Sequence, residues 1–246
     1  MEIRRFFIPQ KNIDAKNNEA VVDNGEFYHI TKVLRLKKGY KIILCTGDGR
    51  DYRAEITDVH EDFLRTRIEG FSDNVADLPF LLTMLQAVPA KDKLDIIVQK
   101  AAETGVSRFV PFFCAYTEER DINLPRLEKI AKEAARQCGG GRLMRIERPM
   151  SFGEAIDIAG QSALKIMAYE NERTTRILSL KDDFKTADFS ASFIIGAEGG
   201  FCDDEYEYAK KTGITPVTLG KRILRCETAG IAVAAIIREA YNLYRE

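Results

Sequence analysis

The hydrophobic rhythm of the chain changes near residue 80, and that change limits the possible folds more than any other feature. Beyond it, short apolar runs alternate with amphipathic stretches up to the C-terminus. Phe80 to Val88 reads as a strand. Lys91 to Thr104 puts Leu94, Ile97, Val98, Ala101 and Ala102 on one face at the 3.6-residue period, which predicts a helix. Further strands are predicted over 109–112, 164–168, 193–195 and 216–219, with helices over 124–137, 203–212 and 228–244. Strands alternating with helices point to an α/β domain with a parallel sheet. In the last helix a stripe of Ala229, Ala232, Val233, Ile236, Ile237 and Ala240 is widened by Ile231, Ala234 and Ala235. A helix this apolar is buried on more than one side, against the sheet and another helix or against a second subunit.

Before residue 80 the pattern differs. Ile42 to Cys45 and Tyr52 to Ile56 read as strands joined through Gly47-Asp48-Gly49, a turn suited to a hairpin. Phe63 to Ile68 alternates again, and Tyr28 to Leu36 reads as a short helix closed by Gly39. The expectation is a small β-barrel-like domain of about five or six strands over 1–72. The α/β domain then covers 73–246, and the polar stretch 72–79, ending in Pro79, is the linker candidate.

Charge excludes one class of protein. The 246 residues hold 37 Lys and Arg against 38 Asp and Glu, so the chain is no globally basic nucleic-acid binder. Local basic faces remain. Lys32, Arg35, Lys37, Lys38 and Lys41 cluster on and after the short helix, with His29, Lys32 and Arg35 spaced by three. The run 129–148 carries Lys129, Lys132, Arg136, Arg142, Arg145 and Arg148 against Glu133 and Glu147. Its central glycines suggest a flexible RNA-facing segment. The five cysteines are scattered and there are two histidines, His29 and His60, so neither a disulfide framework nor a metal site is expected. No apolar run approaches the roughly 20 residues of a membrane span, and no apolar signal region follows the first charges, so a cytoplasmic location is expected.

Two stretches carry chemistry. Ile194-Ile195-Gly196-Ala197-Glu198-Gly199-Gly200-Phe201 takes a buried strand into a glycine-rich turn and a helix, the usual setting of a ligand loop in an α/β sheet. Leu219-Gly220-Lys221-Arg222-Ile223-Leu224-Arg225-Cys226-Glu227-Thr228-Ala229 places three cations before the last helix. If the two turns end neighbouring strands, they share one crevice. Neither contains G-x-G-x-x-G or a P-loop, which counts against a dinucleotide-dependent oxidoreductase.

Together these stretches closely resemble the small-subunit (16S) ribosomal RNA uridine N3-methyltransferases, of the SPOUT class of trefoil-knotted methyltransferases. The resemblance extends to Arg4-Arg5-Phe6-Phe7, to His29 with Val33-Leu34-Arg35-Leu36, to Lys91-Asp92-Lys93 with Gln99 to Val106, and to Glu133 with Gln137-Cys138-Gly139. The chain departs from the family at Ala197, usually proline, and at Cys202, usually serine.

The resemblance implies a C-terminal SPOUT-type knotted α/β domain that binds S-adenosylmethionine, and an N-terminal PUA-like β-barrel domain that helps to hold RNA. Cofactor contacts would fall to Met167, Ile195, Gly196, Gly199, Gly200, Leu219, Gly220, Ile223 and Leu224. RNA contacts would fall to Arg4, Arg5, His29, Lys32, Arg35, Lys91, Lys93 and Arg142. Arg136, Arg222 and Arg225 are candidates to stabilise a developing uracil anion, and Glu198 or Glu227 to accept a proton or fix an arginine. The partner would be 16S RNA or the small ribosomal subunit, and the protein a homodimer, with no membrane and no metal. A related knotted enzyme methylating a ribose 2′-hydroxyl and a non-catalytic RNA-binding module are the alternatives.

Overall fold

Strict alternation of buried and exposed side chains along residues 64–69 seeds a six-stranded sheet. The protein is known from a computed structural model that describes residues 3–90, 93–117 and 121–245. It divides into two units: Met1–Asp77 with Ala135–Leu143, and Leu78–Ala134 with Met144–Glu246.

The first unit contains β1 (Arg5–Phe7), β2 (Ile13–Asp14), β3 (Glu19–Asp23), α1 (Asn24–Tyr28), β4 (Lys41–Cys45), β5 (Arg50–Val59) and β6 (Phe63–Asp73). Strand order is β1-β4-β5-β6-β3-β2. Only β1 pairs in parallel, with β4. Phe6, Val22, Ile30, Leu44, Ile56 and Leu64 fill the core. The expected β4–β5 hairpin is present, with Gly47 at φ 85° and Gly49 at φ 93°.

Three local expectations are corrected. The short helix begins at Asn24 and continues as a π-helical turn over His29–Val33. Arg35 lies beyond it at φ 54°, so His29, Lys32 and Arg35 do not share a helical face. The stretch 72–79 is no loose linker, because Asn74 is buried and its amide donates to Asp51 Oδ1 (3.0 Å) and the Gly139 carbonyl (3.0 Å). The glycine run is tied down as well: the Gly141 and Arg142 amides donate to Asp77 Oδ1 at 3.1 and 3.3 Å. A buried asparagine satisfied on both ends makes this segment structural, which hydropathy alone does not reveal.

The second unit contains β7 (Leu81–Ala87), α2 (Lys93–Glu103), β8 (Arg108–Phe113), α3 (Leu124–Cys138, its last turn counted with the first unit), β9 (Arg145–Ile146), β10 (Met150–Ser151), α4 (Phe152–Ala159), β11 (Leu164–Ala168), β12 (Ser190–Ile195), α5 (Asp203–Lys211), β13 (Thr215–Val217) and α6 (Cys226–Arg245). Its strands run β10-β8-β7-β12-β11-β13, all parallel, with β9 on β8.

Successive strand residues face opposite cores. Met84, Ile166 and Ile195 meet α2, α3 and α6; Leu85, Met167 and Ile194 meet α4 and α5. Burial on both faces explains why these strands read as continuous apolar runs. The last helix packs against both α2 and the sheet. A Cβ at Gly230 would lie 2.4 Å from Met84 Cε, so a larger residue there would displace the end of that side chain.

One topological expectation is corrected. The strands ending in the two glycine-bearing turns are not neighbours, because β11 lies between β12 and β13. The loop after β11 therefore stands between the two turns.

Candidate functional site

Ligands of open parallel sheets bind beyond the carboxyl ends of the strands. Here the loops after β11, β12 and β13 enclose a cavity of about 270 Å³.

The loop after β12 is built from glycine for steric reasons. The Gly200 amide donates to the Ala197 carbonyl (3.1 Å), closing a tight turn. A Cβ at Gly196 would lie 3.0 Å from Gly200 Cα, and Gly200 itself sits at φ 69°. Below the turn, Gln86 is fully buried; its amide donates to the carbonyls of Ala87 (2.9 Å) and Gly196 (3.1 Å). At Cys202, where the family usually has serine, Glu205 supplies the other half of the α5 cap. Its carboxylate accepts from the Cys202 amide at 3.1 Å and from the Ala115 amide at 2.8 Å.

The loop after β11 is organised by Glu172. One of its carboxylate oxygens accepts from the amides of Thr175 (2.9 Å), Thr174 (2.8 Å) and Arg173 (3.0 Å) and from the Thr174 hydroxyl (2.7 Å). The Thr175 and Thr174 amides and the Thr174 hydroxyl dominate in drawing its pKa down to about 2. The Thr218 amide donates to the Thr175 carbonyl (2.8 Å), joining this loop to the one after β13.

The cavity wall combines apolar and charged groups. Ile195, Leu219, Leu224 and Ala229 supply apolar surface; Glu170, Arg173, Glu198 and Arg222 supply charge. Gly196, Gly199, Gly200, Gly220 and Ile223 also line it, though Ile223 is 84% exposed. Met167 does not line it. Its side chain is fully buried in the core beside α4 and α5, where the alternation of β11 directs it.

A charged cluster adjoins the cavity. Lys93 Nζ lies 2.6 Å from Glu198 Oε1, and the Ala90 amide reaches both oxygens of Glu198 at 3.2 Å. Burial pushes the Glu198 carboxyl up, but these bonds and the lysine charge outweigh it and hold the group below the usual carboxylate range. The bond to Glu198 in turn raises Lys93. Glu227 accepts from the Cys226 thiol (3.3 Å) and stands 4.0 Å from Arg225, whose side chain is 82% exposed. Burial, then that bond, pushes the Cys226 thiol up to about 12, so at neutral pH it is no thiolate nucleophile.

The remaining candidates lie elsewhere. Arg4, Arg5, His29 and Arg136 converge on a groove of the first unit, with Tyr40 and Lys41. Arg5 pairs with Asp51 and Arg136 with Glu26, both at 2.5 Å. Arg136 is thus a first-unit residue and lines no part of the 270 Å³ cavity. Lys32 and Arg35 are exposed outside that groove, and Arg142 bridges to Gly47 and Asp48. Lys91 lies outside the described residues. Sequence reasoning missed Gln86, Glu170, Glu172 and Arg173; the polar run 170–175 after a buried strand was the available signal. Among the described residues no helix is long and apolar enough to cross a membrane, and no three His, Cys, Asp or Glu are grouped to hold a metal.

A glycine-lined cavity at the carboxyl ends of a parallel sheet, in a chain that also carries a β-rich unit, defines a cofactor-binding α/β protein with an attached β domain. Residues 76–238 match the RNA methyltransferase domain family and residues 22–69 the RNA methyltransferase PUA domain. The chain belongs to the RNA methyltransferase family, with the SPOUT-type knotted fold and PUA-like domain of that class. It is 29% identical to ribosomal RNA small subunit methyltransferase E of Bacillus subtilis, over 99% of both chains. It is also 29% identical to the Synechocystis protein of that name, over 96% of this chain and 77% of the relative. The crystal structure of the Neisseria gonorrhoeae enzyme of that name, bound to S-adenosylmethionine, superposes with a TM-score of 0.82 at 26% identity, covering 98% of both chains.

Proposed function

We propose that the protein transfers a methyl group from S-adenosylmethionine to N3 of a specific uridine in small-subunit (16S) ribosomal RNA. The observation that carries this reading is the cavity between the three loops, whose wall suits that cofactor. Ile195, Leu219, Leu224 and Ala229 offer apolar surface for adenine, the glycine turns expose main-chain groups, and Arg173 and Arg222 offer cations for a carboxylate. When bound, the cofactor supplies a methyl group already activated on a sulfonium.

The protein's own task is then to hold the base and manage the N3 proton. A paired uracil hides N3, so the target must be unpaired or extruded. Arg222 is the cation of the candidate set that lines the cavity, and Arg225 projects beside it, so these two favour the uracil anion electrostatically. Glu198 and Glu227 are weak proton acceptors, because their partners hold both below the ordinary range. They serve better to orient Lys93 and Arg225, and the proton leaves to solvent. The first-unit groove, with Arg4, Arg5 and His29, is the surface proposed to grip RNA; the RNA-holding domain proposed over 1–72 is extended in that unit by residues 73–77 and 135–143. A cytoplasmic homodimer acting on the small subunit completes the reading.

The test is mass mapping of small-subunit RNA after incubation with isotopically labelled donor. The label is expected on the uracil ring at one position. Label on a ribose would select 2′-O methylation instead, and absence of label on both naked RNA and assembled subunits would refute the reading.

A further inference from the structure

The cavity wall presents two carboxylates, Glu170 and Glu198, and they differ in what they already hold. Glu198 is engaged by Lys93 and the Ala90 amide. Glu170 makes no hydrogen bond or ion pair among the described residues. Its position is nevertheless specific. Glu170 follows β11 by two residues, and β11 lies beside β12 in the sheet, in register from Leu164–Ala191 to Met167–Ile194. The carboxylate rests over the glycine-rich turn after β12, so close that a Cβ on Gly200 would stand 2.7 Å from Glu170 Oε1. Glu172, two residues on, anchors the same loop through three backbone amides.

A carboxylate at the end of the strand next to a glycine-rich turn is the arrangement by which nucleotide sites hold ribose hydroxyls. The cause is simple chemistry. Two adjacent hydroxyls are donors about as far apart as the two oxygens of one carboxylate, and a charged acceptor gives the stronger hydrogen bond. We infer that Glu170 is the residue that binds the ribose diol of the cofactor, with Gly200 kept free of a side chain so that the carboxylate can lie across the turn. This inference rests on the S-adenosylmethionine reading above.

Calorimetry with the full chain separates the two. Wild-type protein is titrated with S-adenosylmethionine and with 5′-deoxy-5′-methylthioadenosine, which keeps adenine and ribose but lacks the amino-acid arm. Glu170→Ala is expected to weaken both by a similar factor, on the order of 10- to 100-fold, as for loss of hydrogen bonds to a charged group. Glu170→Gln, which retains one acceptor oxygen, is expected to weaken both by less. A 2′,3′-dideoxy form of methylthioadenosine should bind wild type and Glu170→Ala alike. Weakening confined to S-adenosylmethionine would overturn the assignment in favour of the ammonium group, and unchanged affinities in variants that melt like wild type would overturn it outright. Failure of wild type to bind either ligand would instead remove the cofactor reading beneath it.

Discussion

Replacing Gln86 by leucine is a sharp probe of how the fold holds the site. Gln86 is wholly buried in β7, opposite Ile195, and its amide nitrogen donates to the Ala87 and Gly196 carbonyls. Two terms oppose each other in Gln86→Leu. The variant loses two buried hydrogen bonds, each worth about 1 kcal/mol net, and leaves the Gly196 carbonyl without this donor, a penalty of about 1–3 kcal/mol. Against this, Gln86 Oε1 is buried with no hydrogen-bond partner, and removing that oxygen recovers a comparable desolvation cost. The net is a loss of about 1–2 kcal/mol, a fall in melting temperature of about 2–8 °C for a domain of this size. Cofactor affinity should fall further than stability alone explains, since the Gly196 peptide is released to turn. Gln86→Glu is the control. A carboxylate facing two carbonyl oxygens is repelled by both and lacks the donor, so that variant should be several kcal/mol worse than leucine. Urea unfolding and calorimetry with S-adenosylmethionine read the two effects. Glutamate tolerated as well as leucine, or leucine with unchanged cofactor affinity, would refute the reasoning.

Other perturbations follow from the same geometry. Gly196→Ala brings a methyl to 3.0–3.1 Å from Gly200 backbone atoms and should abolish cofactor binding, whereas Gly220→Ala meets nothing within 4 Å and should cost only the strain of φ 108°, about 1–2 kcal/mol, as read by thermal melting. Asp51→Ala strips the acceptor from Arg5 and Asn74 at a buried position and should destabilise the first unit by about 3–5 kcal/mol, with hydrogen exchange localising the loss to β4, β5 and residues 139–142. Glu172 is depressed to about 2 from an ordinary 4.5, so its support of the loop is complete above about pH 4.5 and lost as pH falls toward 2; cofactor affinity should decline over that window, and Glu172→Gln should lower affinity at neutral pH while flattening the decline.

How much of this was legible in the sequence depends on the range of the interaction. Periodicity located β11 at Leu164–Ala168 and placed most helices within two residues, because burial on a face imprints the side chains directly. Ser151 with Glu154 is a capping box that marks the start of α4, a signal local to the sequence. By contrast, nothing in the run from Ala168 to Leu219 says that β11 lies between β12 and β13. That order is set by pairing between distant strands, and it brings Glu170 and Arg173 to the cavity. Asn74 and Asp77 looked like linker polarity for the same reason, since their partners lie 23 to 65 residues away. Alternation along the strand turns Met167 into the core beside α4 and α5, while Ala168 at the strand's end reaches the cavity.

Near-zero net charge shapes what RNA binding can be. Residues 1–74 hold as many acidic as basic side chains, and several groove cations are neutralised: Arg5 by Asp51, Arg136 by Glu26, Lys41 by Glu69. A cation already paired within the protein releases few counterions when a phosphate approaches, so these residues add little to non-specific affinity. The partly buried pairs hold Arg5 and Arg136 in fixed geometry, however, and a fixed guanidinium discriminates between backbone shapes better than a free one. Binding of random RNA should therefore be weak and shallow in its salt dependence, while the proper substrate gains from fit. Measured slopes of log affinity against log salt, for small-subunit RNA and for an unrelated RNA of equal length, decide the matter. A steep and equal slope for both would mean that loose charge, rather than shape, holds the RNA.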